Sequence, residues 1–358
     1  MFTAIAFIII LGILVFVHEL GHFFVAKKFG IRVEEFGFGF PPRLFGFKRG
    51  ETIYSFNLIP LGGFVKIFGE DGEGKKDHRA FGAKKIWQRT SVLLAGVAMN
   101  ILLAVFLLTI GFMVGLPWAT SDNLAAPGAK VQIVEVVADS PAAFAGLRTG
   151  DFIKSVQASK ESLPQITVVS GLQDFISRHQ GEEIILAVAR GTDFFQTKLI
   201  PRINPPVNEG SMGVGLALIS EVSYPWYRAI GEAVIAVGNL IWLIFSSLSL
   251  LIWQFFSHGR TTTEVAGPIG LYAITGQAAQ MGFIYLLQLT ALLSVNLAII
   301  NALPFPALDG GRVLFLLVEK IKGSPISERL EKGIHAVGFI FLILLMIVIA
   351  LKDIIRLF

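Results

Sequence analysis

From Ser91 to Trp118 the chain carries no charged side chain. About 20 apolar residues, rising 1.5 Å each in a helix, cross the roughly 30 Å hydrocarbon core of a bilayer. Lipid offers no partner for backbone N–H and C=O groups, so a run of this kind has to be helical. Phe2–Ala26 meets the same test and is polar only at its C-terminal end, at His18, Glu19 and His22. Ala336–Leu351 is a third such run, bounded by Lys332 and Lys352, and a fourth, Ile284–Val318, is interrupted by Asn296, Asn301, Pro304, Pro306, Asp309 and Arg312. With 54% hydrophobic and 16% charged residues, the 358-residue chain belongs in a bilayer. The expected architecture is a polytopic α-helical membrane protein with about four transmembrane helices.

Charge orients these spans. Lys27, Lys28, Arg32, Arg43, Lys48, Arg49, Lys66, Lys75, Lys76, Arg79, Lys84, Lys85 and Arg89 fall between the first two, which places that segment in the cytoplasm. The N-terminus and the stretch from Thr120 to Arg228 are then outside, Lys320–Lys332 returns to the cytoplasm, and the C-terminus ends outside. MFTAIAFIIILGILVFV has no basic leader and no cleavage signature, so it is read as a retained first span. A fifth apolar run, Ala229–Phe256, would reverse the side of Lys320 and Lys322 if it crossed. Parity therefore predicts an interfacial helix or a re-entrant hairpin, flanked by Arg228 and His258–Arg260. The net charge of +4 sits beside apolar segments and predicts no nucleic-acid partner.

Four regions follow. Residues 1–118 hold the first two spans and a cytoplasmic or membrane-dipping β region. Residues 119–222 change to short alternating strands and turns, enough for one small extracytoplasmic α+β domain. Strands are expected at Lys130–Val137, Phe152–Val156, Glu183–Ala189 and Phe194–Ile200, with helices at Pro141–Leu147 and Leu172–His179. Residues 223–282 form the membrane-associated segment, and 283–358 the second membrane half.

The chemistry concentrates in His18-Glu19-Leu20-Gly21-His22. Residues four apart share a helix face, so two imidazoles can hold one ion while Glu19 reaches water beside it. A charged group at the centre of a span costs about 2.5–3.5 kcal/mol on insertion scales, so three polar groups in five residues require a cause. Metal binding is one, and snorkelling of Glu19 and His22 to the nearby surface is another. With no cysteine, thiolate sites, disulfides and cysteine nucleophiles are excluded, and a further ligand has to be His, Asp or Glu. Asp309, inside the fourth apolar run, is the best placed; its alternative is an ion pair with Arg312, three residues on. Pro304 and Pro306 break a helix at membrane depth, which is tolerable where backbone lines a cavity. Asn301 could bind a substrate backbone or join two spans. Thr52–Phe68, with Gly62, Gly63 and Phe64, reads either as a membrane-dipping hairpin whose free edge takes an extended substrate or as an amphipathic hairpin resting on lipid.

HELGH, together with Asn301-Ala302-Leu303-Pro304-Phe305-Pro306-Ala307-Leu308-Asp309-Gly310-Gly311, resembles the paired motifs of the site-2 protease family. Phe38-Gly39-Phe40, Ile59-Pro60-Leu61-Gly62-Gly63-Phe64-Val65-Lys66 and Gly267-Pro268-Ile269 are similar to its bacterial branch, which cleaves anti-sigma factors. The resemblance implies an intramembrane Zn2+ metalloprotease of the bacterial inner membrane, with His18, His22 and Asp309 as ligands and Glu19 as base. It implies single-span substrates and makes Asn301 a residue that holds the substrate backbone; the sequence leaves open whether signal-peptide remnants are also cut. Ser140-Pro141-Ala142-Ala143-Phe144-Ala145-Gly146-Leu147 with Gly150-Asp151 resembles a bacterial PDZ domain, implying capture or size filtering of a substrate's outer part, with Gly213–Leu216 as a groove-lining or a closing strand. Only about 8 Å of helix separates His22 from Lys27, so the metal is expected near the cytoplasmic side. A peptide-binding module with a structural metal and a zinc transporter are the competing readings. Glu19 argues against the first, because a structural site needs no such carboxylate and commonly has four protein ligands.

Overall fold

The computed structural model describes residues 2–70, 74, 77–120, 128–159, 161–191, 193–206, 209–258, 267–324 and 326–357. Lys75, Lys76, Gly259 and Arg260, used above to orient the chain, lie outside them. The chain divides into a helical unit (1–110, 226–279 and 286–358) and an inserted unit (111–225 and 280–285).

In the helical unit, α1 (Phe2–Lys28) and α2 (Ile86–Val114) flank β1 (Val33–Arg49) and β2 (Thr52–Ile67). Among the described residues five helices are long and apolar enough to cross a membrane: α1, α2, α5 (Trp226–His258), α7 (Phe283–Ala302) and α9 (Glu328–Leu357). The second span, expected to reach Trp118, ends at Val114, where Gly115 takes φ 114° and turns the chain. The Ala229–Phe256 run belongs to one unbroken helix of 33 residues, so a re-entrant hairpin does not form. The fourth apolar run splits into α7 and the short α8 (Asp309–Lys322), since Pro304 and Pro306 cannot continue a helix.

A further short helix, α6 (Pro268–Met281), sits where α1 begins and α9 ends. Its Gly270 N–H donates to Asp353 Oδ2 at 2.9 Å, Tyr272 meets Phe7 edge-on, and Gly276 faces Thr3. A Cβ on Gly267 would lie 2.7 Å from both Asp353 Oδ2 and Ile349, which accounts for glycine there.

The hairpin is more folded than its two strands suggest. Arg43–Arg49 pairs with Thr52–Asn57, while Glu35–Phe38 lies between Ile53–Phe56 on one side and Gly63–Lys66 on the other. Gly63–Ile67 is therefore an outer pass of the sheet, and it runs beside α1. Phe45 stacks on Phe56 at 4.7 Å, and Leu44, Phe47 and Leu58 are exposed, an apolar surface suited to lipid.

The inserted unit carries a seven-stranded sheet in the order β3-β9-β4-β5-β7-β8, with β6 on β5. The strands are β3 (Leu116–Thr120), β4 (Lys130–Val136), β5 (Phe152–Gln157), β6 (Ser162–Leu163), β7 (Ile184–Arg190), β8 (Asp193–Leu199) and β9 (Val214–Val222). Helices α3 (Pro141–Phe144) and α4 (Val169–Arg178) accompany them, and Ser140 Oγ caps α3 by accepting from Ala143 N–H at 3.1 Å. Ile133, Ile153, Leu172, Phe175 and Leu186 form its fully buried core.

Candidate metal centre

The local sequence of α1 puts His18 and His22 on one face, and α2 supplies the wall behind them. Gly21 makes the approach possible, because a Cβ there would overlap the Ala95 carbonyl and come 2.8 Å from Met99 Cγ. On α2, Val92, Gly96 and Asn100 recur every fourth residue and so share a face. A Cβ on Gly96 would lie 2.5 Å from His22 Nε2 and 2.7 Å from His18 Nε2, so only glycine leaves room for both rings.

The sequence is folded back to these helices by the turn between α7 and α8. Gly310 and Gly311 let it close tightly, since a Cβ on either would overlap carbonyls of Ala302, Leu303 or Phe305. Ala307 takes φ 77°, a conformation rarely adopted outside glycine, and its N–H donates to His335 Nδ1 at 2.8 Å. A Cβ on Gly338 would come within 2.7 Å of the Pro306 carbonyl oxygen. Thus α9 braces the loop that presents Asp309.

Asp309 Oδ2 lies 3.0 Å from His18 Nε2 and 3.3 Å from His22 Nε2, and the two nitrogens are 3.2 Å apart. Four ligands at about 2.0–2.1 Å around zinc stand about 3.3 Å from one another in a tetrahedron, so these separations suit one small ion. His22 Nδ1 donates to the Val92 carbonyl at 2.8 Å, which leaves Nε2 with its lone pair. Both imidazoles are buried. The donor set and its spacing fit a divalent metal.

Glu19 opens onto the same cavity of about 210 Å³, together with Val65, Glu70 and Arg312. The Val65 backbone amide is directed at the Glu19 carboxylate, and a Cβ on Gly63 would sit 3.8 Å from Glu19 Cγ. Arg312 pairs with Glu70, which removes the alternative of an Asp309–Arg312 pair. Of the other expected site residues, Gly62 packs against Val15 and Phe40, and Phe64 lines an adjoining pocket with Glu70 and Arg312. Asn301 lies in the last turn of α7 and Pro304 lies exposed in the turn beyond; neither is among the residues lining the cavity.

Sequence reasoning missed Val92, Gly96, Asn100 and His335. Gly96 and Asn100 stand four apart in an otherwise apolar run, and that pair was the one available signal.

The pattern of peptidase family M50 matches residues 6–345. The regulator of sigma-W protease RasP of Bacillus subtilis is 31% identical over 99% of both chains. A putative zinc metalloprotease of Nostoc is 34% identical over 98% of this chain and 95% of its own, and one of Clostridium perfringens 35% identical over 96% and 95%.

Proposed function

This chain belongs to peptidase family M50, and from that premise we propose that it is a zinc metalloendopeptidase that cuts single-span membrane proteins within or near their transmembrane segments. The observation that carries this is the convergence of His18 Nε2, His22 Nε2 and Asp309 Oδ2 at 3.0–3.3 Å in a cavity shared with Glu19. His18, His22 and Asp309 are the zinc ligands. Zinc bound there supplies Lewis-acid chemistry for the attack of water on a peptide carbonyl. Glu19 takes a proton from the attacking water and delivers it to the leaving amine.

A substrate helix has to unwind before its peptide bonds are accessible. Gly63–Ile67, an outer pass of the hairpin beside Glu19, receives the unwound segment by strand addition, with Gly62, Gly63 and Phe64 beneath it. Asn301 and Pro304 hold the substrate from the α7 side.

The sidedness follows from the same frame. The HELGH turn lies near Lys27 and Lys28, so the metal is near the cytoplasmic face of a bacterial inner membrane. Tyr224 N–H bonds the Phe112 carbonyl in the last turns of α2, and Gly267 sits at the Asp353 end of α9. The segment from α5 to Gly267 therefore starts and finishes away from the metal. A 33-residue helix followed by eight residues cannot cross and return, which supports four spans, with α5 lying along the outer surface.

The inserted unit is a PDZ-like domain. Val214–Ala217 pairs with β4 on one edge, and among the described residues its other edge has no strand partner beyond Thr120, which supports Gly213–Leu216 as the groove. Substrates resembling anti-sigma factors fit this plan, and the Bacillus relative is named as a regulator of sigma-W protease.

The test is cleavage of a single-span reporter by purified protein at matched zinc occupancy. Glu19→Gln is expected to keep zinc and lose about 10²–10⁴-fold in rate. Unimpaired cleavage by that variant would remove Glu19 as the base. A zinc-loaded wild type that cuts no reporter in either orientation would favour a peptide-binding role.

A further inference from the structure

His22 and His18 meet different partners on α2. His22 Nδ1 faces a backbone carbonyl, an acceptor only, so its proton is fixed on Nδ1 and Nε2 is bare. His18 Nδ1 faces the side-chain amide of Asn100, whose nitrogen lies 3.3 Å away. Asn100 is fully buried, and its Oδ1 has no partner among the described residues. An unpaired buried amide oxygen costs about 1–3 kcal/mol, so this placement calls for a use. The link from α2 to α7 does not use it, because Ser294 Oγ donates to the Asn100 backbone carbonyl and leaves the side chain to His18.

With its nitrogen toward His18, the amide donates to Nδ1 and the His18 proton sits on Nε2, where it reaches Asp309 Oδ2 at 3.0 Å. That tautomer is self-consistent without metal and wrong for ligation through Nε2. A half-turn of the amide exchanges nitrogen and oxygen, which are nearly the same size, and offers Oδ1 to an Nδ1 proton. Nε2 is then bare, as in His22.

We propose that Asn100 is a positioning residue for the metal: its side-chain oxygen accepts the Nδ1 proton of His18 and so frees Nε2 to bind. The proposal rests on His18, His22 and Asp309 being the zinc ligands. A hydrogen-bond acceptor behind a ligating histidine typically contributes 10–100-fold in metal affinity. Asparagine serves both tautomers, whereas a leucine of similar size serves neither.

Zinc affinity by chelator competition and the metal-free melting temperature of the full chain in detergent separate this role from a structural one. Asn100→Leu is expected to bind zinc about 10–100-fold more weakly while its metal-free melting temperature is unchanged or higher. Asn100→Asp, which keeps an acceptor at the same reach, is expected to stay within about threefold of wild type, as in carboxylate–histidine–zinc arrangements. Should the leucine variant not fold, Asn100→Ala takes its place. Wild-type affinity in the leucine or alanine variant overturns the proposal, as does an aspartate variant equally weak. A wild type that binds no zinc overturns the ligand assignment itself, a result distinct from either.

Discussion

The helical unit turns much of its apolar surface outward, whereas the inserted sheet gathers its large apolar side chains into one core. In the sheet, Ile133, Leu172 and Phe175 are fully buried and burial of apolar area away from water drives packing. In the helical unit, Phe339, Phe341, Leu344 and Val348 of α9 face outward, while His18, His22, Asn100, Thr275 and Ser294 are inside. Lipid is as apolar as leucine, so helices there gain little by hiding leucines from it and associate through close backbone approach and polar contacts. The difference teaches where each unit is vulnerable: the sheet at its large side chains and its buried ion pair, the helices at their smallest residues.

Gly96→Ala is the most severe test of that contrast. One methyl, trivial in most helices, would meet ring atoms of both histidines at 2.5–2.7 Å, and α1 cannot retreat while Gly21 packs on Ala95. Zinc affinity is expected to fall at least about 100-fold, beyond the usual effect of perturbing a partner of a metal ligand, with the helical content of the protein kept. Zinc retained after dialysis against a chelator measures it. Wild-type retention would show that the α1–α2 approach is not what sets the site.

Asp151→Asn probes the sheet. Asp151 is buried and accepts from Arg148 N–H at 2.8 Å and from Arg190 Nε and Nη2 at 2.7 and 2.8 Å. The bonded carboxylate holds the Arg190 guanidinium above its ordinary range. An amide satisfies only some of those donors. Because Arg190 is a third exposed, the expected loss is about 1–3 kcal/mol. Urea unfolding of the inserted unit within the full chain reads it, and zinc content is expected to be unchanged. Loss of zinc in this variant would mean that the units do not fail separately.

The parts of this protein that were legible in its sequence are those where polarity breaks a pattern. HELGH stands out inside an apolar run, and so does Asp309 after two prolines. The strands at Lys130–Val136, Ile184–Arg190 and Asp193–Leu199 announce themselves by alternation and turns. The α2 wall was hidden because, in a membrane helix, a site-forming face made of Val92, Gly96 and Asn100 differs from a lipid-facing one by a missing side chain and one amide. His335 has no ligand-spaced partner in the sequence, and its role, accepting from the backbone N–H of Ala307, joins positions 28 apart. Arg312 stands a turn from Asp309 yet turns to Glu70, a partner 242 positions away that local spacing cannot reveal. Nothing in Thr52–Phe68 marks where it folds back, since Gly62 and Gly63 permit a bend without ending the strand.

The smallest expected effect lies in the helical unit's own surface ion pair, Lys27 with Glu51 at 2.9 Å. The hydrogen bond from Lys27 holds the Glu51 carboxyl below its usual range. A folded-state value lowered in this way adds stability above the unfolded carboxyl's pKa, about 4.3, and the addition is lost as pH falls through the lower folded value. Both side chains are about a third exposed, so solvent and salt screen the pair. Glu51→Gln is expected to change stability by less than about 1 kcal/mol at neutral pH, with the difference from wild type shrinking below pH 4 and in high salt. Melting curves of both proteins across pH 3–7 check the sign, and a gap that widened toward low pH would contradict it. That this pair should count for less than Asp151 with Arg190 follows from the solvation of the carboxylates: the two cations are about equally exposed, but the Asp151 side chain is 1% exposed and that of Glu51 38%.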